Sequence, residues 1–126
     1  VPCVFERRYV YVLSDTLDVE KMRRAAKLFL GEHDFSAFCA NKKMKKSTIR
    51  RVDDLKIACV GEELRITVTG NGFLYNMVRI ISGTLLYVGI GKILPDEIPE
   101  IIKSCDRTRA GITADPQGLY LKEILY

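Results

Sequence analysis

A turn bracketed by glycines, followed by a helical apolar stripe, organises this chain: Gly70-Asn71-Gly72-Phe73-Leu74-Tyr75-Asn76-Met77-Val78-Arg79, running on to Gly89. The pattern predicts a strand that ends at the turn and a long helix that begins at once. Leu74, Met77, Val78, Ile81, Leu85 and Val88 recur at helical spacing and form one apolar face. Gly72, Asn76, Arg79 and Gly83 fall roughly opposite it, so Arg79 has small neighbours that let another backbone or a ligand come close. Two readings of Arg79 stay open on pattern alone. It is either a solvated arginine on the outer face of a core helix, or a planar fork set to pair with a carboxylate or phosphate.

The elements before and after this stretch fix the fold class. Glu6 to Leu13 alternates as a strand, with Arg7, Tyr9, Tyr11 and Leu13 on one side and Arg8, Val10 and Val12 on the other. A first helix is expected from an Asp18 N-cap, with Leu17 and Met22 as a hydrophobic staple, Met22, Ala25, Ala26 and Phe29 inward, and Gly31 as its stop. Glu32 to Phe38 reads as a short turn anchored by Phe35 and Phe38, with His33 as a hydrogen-bonded structural residue. A second strand covers roughly Ile49 to Val60, with Leu55, Ile57 and Cys59 inward. Gly61-Glu62 turns it into a third, in which Leu64, Ile66 and Val68 share a face. After the long helix, Pro95 opens a shorter one to about Ser104, and a turn-rich segment from Arg107 leads to a last strand from Gly118 to Tyr126. The order β-α-β-β-α-(α)-β is that of an α+β, ferredoxin-like fold: a four-stranded antiparallel sheet with helices on one face and the other face open.

Composition narrows the class further. With 126 residues, 48% hydrophobic and 29% charged, the chain reads as one soluble globular domain. It begins Val1-Pro2 rather than Met, and reads as a piece of a longer chain. No apolar run reaches membrane-spanning length, and no membrane partner is expected. Cys3, Cys39, Cys59 and Cys105 are widely spaced, and the single His33 does not complete a zinc set with them, so free thiols in a reducing cytoplasm are expected. Net charge is only +4, but Lys42, Lys43, Lys45, Lys46, Arg50 and Arg51 lie within ten residues. Such a cluster is either a solvated loop or a contact for a phosphate backbone.

Five ordered motifs carry a resemblance to a known family. They are Arg7-Arg8-Tyr9-Val10-Tyr11; Leu17-Asp18 with Met22 and Ala25-Ala26; Gly31 to Phe38; Gly70 to Leu74 with Met77-Val78-Arg79; and Arg107, Ala110-Gly111, Thr113-Ala114 and Gly118-Leu119-Tyr120-Leu121. Together they resemble the C-terminal half of the TruA-type tRNA pseudouridine synthases. The resemblance implies an isomerase, cytoplasmic, that converts uridine to pseudouridine in the anticodon arm of tRNA without cofactor or metal. It implies that Tyr9 stacks on the target base, that Arg79 pairs with the nucleophilic aspartate, and that Leu119 packs in the pocket. RNA backbone contacts would fall to Lys42, Lys43, Lys45, Lys46 and Arg50. It further implies tRNA as a partner, an N-terminal catalytic domain beyond residues 1–126, and a homodimer as in the bacterial family.

The departures from the family pattern are equally specific. No aspartate here lies in the nucleophile motif RTDxGVHA, and Arg107-Thr108-Arg109 carries arginine where that motif needs aspartate. The nucleophile is therefore expected from the N-terminal half, and this chain alone is expected to be inactive. The Leu13 to Leu17 link is also shorter than is usual in the family. A reading from another class is a stand-alone RRM-like RNA-binding module, with Tyr9 and Tyr11 on the open sheet face; the third strand, Leu64 to Thr69, lacks the aromatic residues such a module uses.

Overall fold

A computed structural model of the chain describes residues 5–12, 17–40, 47–114 and 120–125, the last of these as backbone. The strands are β1 (Phe5–Val12), β2 (Gly31–Asp34), β3 (Ile49–Val60), β4 (Glu63–Gly70) and β5 (Tyr120–Leu125), and the helices are α1 (Val19–Lys27), α2 (Met77–Gly89) and α3 (Ile98–Ser104). The strands form one antiparallel sheet in the order β2-β3-β4-β1-β5. Within it, β3-β4-β1-β5 is the four-stranded ferredoxin-like arrangement, in which β4 separates β1 from β3 and β1 separates β4 from β5.

The fifth strand, β2, departs from the sequence expectation. Gly31-Glu32-His33-Asp34 has no alternating apolar residues and reads as a turn, yet it pairs residue for residue with Ile49–Val52. The 12-residue β3 offers an edge that β2 covers, so tertiary pairing decides the local conformation. Beyond β2 that edge is partly closed by α1, whose Arg23 donates through Nε to the Ile57 carbonyl at 3.1 Å.

Register places the helices' face of the sheet. Tyr9 pairs with Ile66 and Tyr11 with Leu64, and Ile66 and Val68 pair in turn with Ile57 and Leu55. All of these side chains are buried in one cluster with Met22, Phe29, Met77, Ile81 and Ile98 from the three helices and their flanks. The two tyrosines therefore lie on the helix-covered face, not on the open face where the RRM-like reading puts them: their alternation is locked to that of Leu64 and Ile66. Cys59, expected inward, is exposed, because it lies near the hairpin end of β3. Phe29, Phe35 and Phe38 meet edge to face, with ring centroids 5.2 and 6.1 Å apart.

Local signals act as read in several places. Asp18 caps α1, its carboxylate accepting from the Lys21 N–H. Leu17 and Met22 meet at Gly89, where a Cβ would lie 2.8 Å from atoms of both. His33 donates through Nε2 to the Leu30 carbonyl at 2.8 Å and meets Phe35 edge on. Helix α1 stops earlier than expected, at Lys27, and Gly31 instead opens β2 at φ +101°.

Candidate active site

The turn after β4 sets the geometry of the site. Gly70 pairs with Val52, and a Cβ on it would collide with the Arg51 carbonyl, so only glycine lets the two backbones approach this closely. Asn71 fastens the same point: its N–H donates to the Arg51 carbonyl at 3.1 Å, and its Oδ1 accepts from the Arg51 N–H at 2.8 Å. Phe73 then lies beneath the Arg7 guanidinium, 5.5 Å from its ring centroid.

The helix does not begin at once. Asn76 adopts a left-handed conformation, φ 59°, and α2 starts only at Met77, which leaves Leu74 buried in the preceding turn rather than on the helix. Arg79 falls in the first turn of α2. Its Nε and Nη2 both donate to the Ala114 carbonyl, at 3.0 and 2.8 Å, and its Nη1 lies 3.4 Å from Asn76 Oδ1. The Ala114 N–H returns a bond to the Arg79 carbonyl at 3.1 Å.

The face opposite the apolar stripe is thus covered rather than solvated. Ser82, Gly83 and Thr84 are fully buried. The segment 107–114 lies on them: a Cβ on Gly83 would collide with the Ile112 carbonyl, and one on Gly111 would lie 2.5 Å from the Thr84 Cα. Thr84 Oγ1 accepts from the Gly111 N–H at 2.8 Å and donates to the Ile80 carbonyl at 2.7 Å. Arg107 holds the segment from its other side, with Nη1 on the Gly111 carbonyl at 2.8 Å and Nη2 on Thr113 Oγ1 at 3.1 Å.

This arrangement bears on both readings of Arg79, whose guanidinium is partly buried and bonded to a main-chain carbonyl. A guanidinium has five N–H donors, and partners among the described residues take three of them, which leaves one on Nη1 and one on Nη2. Other arginines meet carboxylates, as Arg23 does Glu20, Arg51 does Asp53 and Arg65 does Glu63. Partly buried Arg79 has no carboxylate partner among the described residues. Held this way, it can accept an incoming carboxylate without first losing side-chain freedom.

Tyr9, 5% exposed, lies on the same sheet face as Tyr11. The Tyr11 phenol is within electrostatic reach of both Tyr9 and Arg79. Burial pushes its pKa up to about 12, Tyr9 adds to the rise, and Ser82 and Arg79 oppose it. Tyr11 OH and Ser82 Oγ are both buried without a hydrogen bond of good geometry among the described residues. Arg50 lies in β3 with its guanidinium beside Gly72, and its Nη1 donates to the Ser47 and Ile49 carbonyls at 2.7 Å each. Lys42, Lys43, Lys45, Lys46 and Leu119 lie outside the described residues. Sequence reasoning placed Asn76 on the Arg79 face without a role, and did not identify Arg107 and Thr84 as residues that build the site. The signal for Arg107 and Thr113 is present in the last motif, but as a resemblance with no role attached.

The chain is thus a ferredoxin-like α+β domain with a partly buried arginine, bonded to a main-chain carbonyl, in the first turn of its long helix. The family model described as tRNA pseudouridine synthase matches residues 25–126. The chain is 56% identical over 120 residues to tRNA pseudouridine synthase A of Thermoanaerobacter sp. (strain X514), covering 95% of this chain and 49% of that protein. It is 48% identical over 125 residues to the Bacillus subtilis (strain 168) protein of the same name, covering 99% of this chain and 51% of that one. The chain belongs to the tRNA pseudouridine synthase family. It spans about half the length of the curated relatives it matches, and among the described residues no helix is long and apolar enough to cross a membrane.

Proposed function

We propose that residues 1–126 form the C-terminal half of a tRNA pseudouridine synthase and supply one wall of its active-site cleft. The reaction breaks the glycosidic N1–C1′ bond of a uridine and forms C5–C1′ in its place, while C5 loses a proton and N1 gains one. No redox partner is needed for this balance. Arg79 positions and keeps ionised a nucleophilic aspartate contributed by the N-terminal half, through the two N–H groups that no described residue takes. That pair of donors, left over among the described residues on a guanidinium held by its other three, is the observation that carries the proposal.

Tyr9 is the residue proposed to meet the target base. At 5% exposure it rests in the core, so its ring must be uncovered when the base is extruded from the RNA stack. Leu119 is proposed to pack in the same pocket. Lys42, Lys43, Lys45, Lys46 and Arg50 are proposed to follow the RNA backbone, and the anticodon arm is the proposed target, with a homodimer as the proposed assembly. Tyr9 and Tyr11 face the helices, which removes the aromatic platform the RRM-like alternative requires.

The test is tritium release from tRNA labelled at uracil C5, measured with this chain alone beside a filter-binding titration. Salt-dependent binding without release is the expected result. Release at a catalytic rate by this chain alone would overturn the assignment of the nucleophile to the N-terminal half.

A further inference from the structure

Arg79 is held by a carbonyl, and a carbonyl is only as fixed as the segment that carries it. Two of the three bonds that orient the guanidinium end on the oxygen of Ala114. Ala114 offers only a methyl group to anchor the loop, although it is 1% exposed. Among the described residues, its anchoring lies just upstream, where the backbone of residues 111–112 crosses Gly83 and Thr84. On one side of that crossing, Thr84 Oγ1 takes the Gly111 N–H. On the other, Arg107 takes the Gly111 carbonyl and the Thr113 hydroxyl with two nitrogens of one planar fork. A bidentate guanidinium fixes direction as well as distance, which a single bond from a flexible ammonium does not.

We propose that Arg107 is a positioning residue for the isomerase: by clamping Gly111 and Thr113 it fixes the Ala114 carbonyl, and through that carbonyl it aims the two unspent N–H groups of Arg79. The chain of contacts is continuous. Arg107 holds the Gly111–Thr113 backbone, that backbone delivers Ala114, and Ala114 bonds Arg79 through both its carbonyl and its N–H. Because Ala114 O occupies the Nε–Nη2 edge of Arg79 and Asn76 Oδ1 takes one Nη1 donor, the donors left over among the described residues are one on each terminal nitrogen. The carboxylate is therefore met through Nη1 and Nη2, and a swing of the 107–114 segment misdirects that pair without removing any group from the active site. The inference rests on the proposed role of Arg79.

Arg107→Met and Thr113→Val test it in the full-length synthase, with Arg79→Met as the control for the underlying reading. Two quantities are read: water exchange of the Arg79 Nε–H by nitrogen-15 arginine NMR, and kcat and KM for tRNA by tritium release. In Arg107→Met the Arg79 Nε–H is expected to exchange about tenfold faster. In the same variant kcat is expected to fall on the order of tenfold to a hundredfold with KM within about twofold of the parent. Thr113→Val, which keeps the arginine and loses one acceptor, moves both readouts the same way by less, and decides the question if Arg107→Met does not fold. Arg107→Lys, which offers one ammonium in place of the fork, recovers part of the kcat lost by Arg107→Met. Unchanged exchange, or faster exchange with kcat intact, overturns the proposal. Full activity in Arg79→Met overturns the role of Arg79 instead, and the exchange measurement then still decides whether Arg107 holds it.

Discussion

The carbonyl oxygen of Ile112 occupies the space that a Cβ on Gly83 would need. Gly83 is the point where a later segment of the chain lies down on α2, and the obstacle is backbone, which cannot turn aside as a side chain can. Gly83→Ala gains about 1 kcal/mol of helix propensity. Forcing a methyl into the contact costs about 1–3 kcal/mol, so the net effect is expected to be destabilising. Urea unfolding should show a lower midpoint, and a higher one would mean that the segment can lift off α2 without loss.

Thr84 tests the other half of the same contact. Its hydroxyl accepts the buried Gly111 N–H and donates to Ile80 O. Thr84→Val keeps the volume and strands the N–H, which is expected to cost about 1–3 kcal/mol. Thr84→Ser keeps the hydroxyl and should lose distinctly less. Equal midpoints for the two variants would show that the hydrogen bond contributes nothing.

Tyr11 gives stability a dependence on alkaline pH. Its folded pKa of about 12 lies above the ordinary 10.0, so the folded state holds the phenolic proton more tightly than the unfolded chain does. Its contribution is complete below pH 10 and is lost as pH rises from 10 through 12, by about 2–3 kcal/mol for a shift of this size. Tyr11→Phe removes both the titration and a buried hydroxyl that lacks a good hydrogen bond. The variant should therefore match or exceed the parent in stability at pH 8 and lose less of it by pH 11. Parallel curves for the two proteins across that range would contradict the burial of the phenol.

Asp34 acts at the other end of the scale. Its carboxylate accepts from Thr48 Oγ1 at 2.6 Å and from the Ser36 N–H at 3.1 Å, and the Thr48 bond is the first cause that holds its pKa below the usual 3.8. The folded pKa is depressed, so this contribution is present above the unfolded value and is lost as pH falls through the folded one. Asp34→Asn is expected to flatten the acid limb of a stability curve while changing the neutral region little. An unchanged acid limb would show that Asp34 plays no part in acid unfolding.

Much of the framework could be read from alternation and punctuation. Leu64, Ile66 and Val68 opposite Leu55 and Ile57 announce a hairpin, and Asp18 before Met22 announces a helix. These signals are local and hold wherever the segment is placed. Strand β2 could not be read, because Gly31–Asp34 becomes a strand only through the edge that Ile49–Val52 offers it. The exposure of Cys59 was hidden for a similar reason: alternation gives a face but not how far along a strand the helices extend. For the site, the type and place of Arg79 were visible, but its immobilisation was not. The groups that hold it are mainly main-chain atoms of a later segment, and no side-chain pattern reports where a carbonyl will point.

What Arg79 does with its two remaining N–H groups is tested most directly by tritium release from labelled tRNA with the full-length Arg79→Lys variant. Lysine keeps the positive charge and loses the paired, parallel donors. The expected result is that kcat falls by about a hundredfold or more while tRNA affinity stays near that of the parent. An Arg79→Lys enzyme that isomerises uridine at the parental rate would contradict the proposed pairing of Arg79 with the nucleophile.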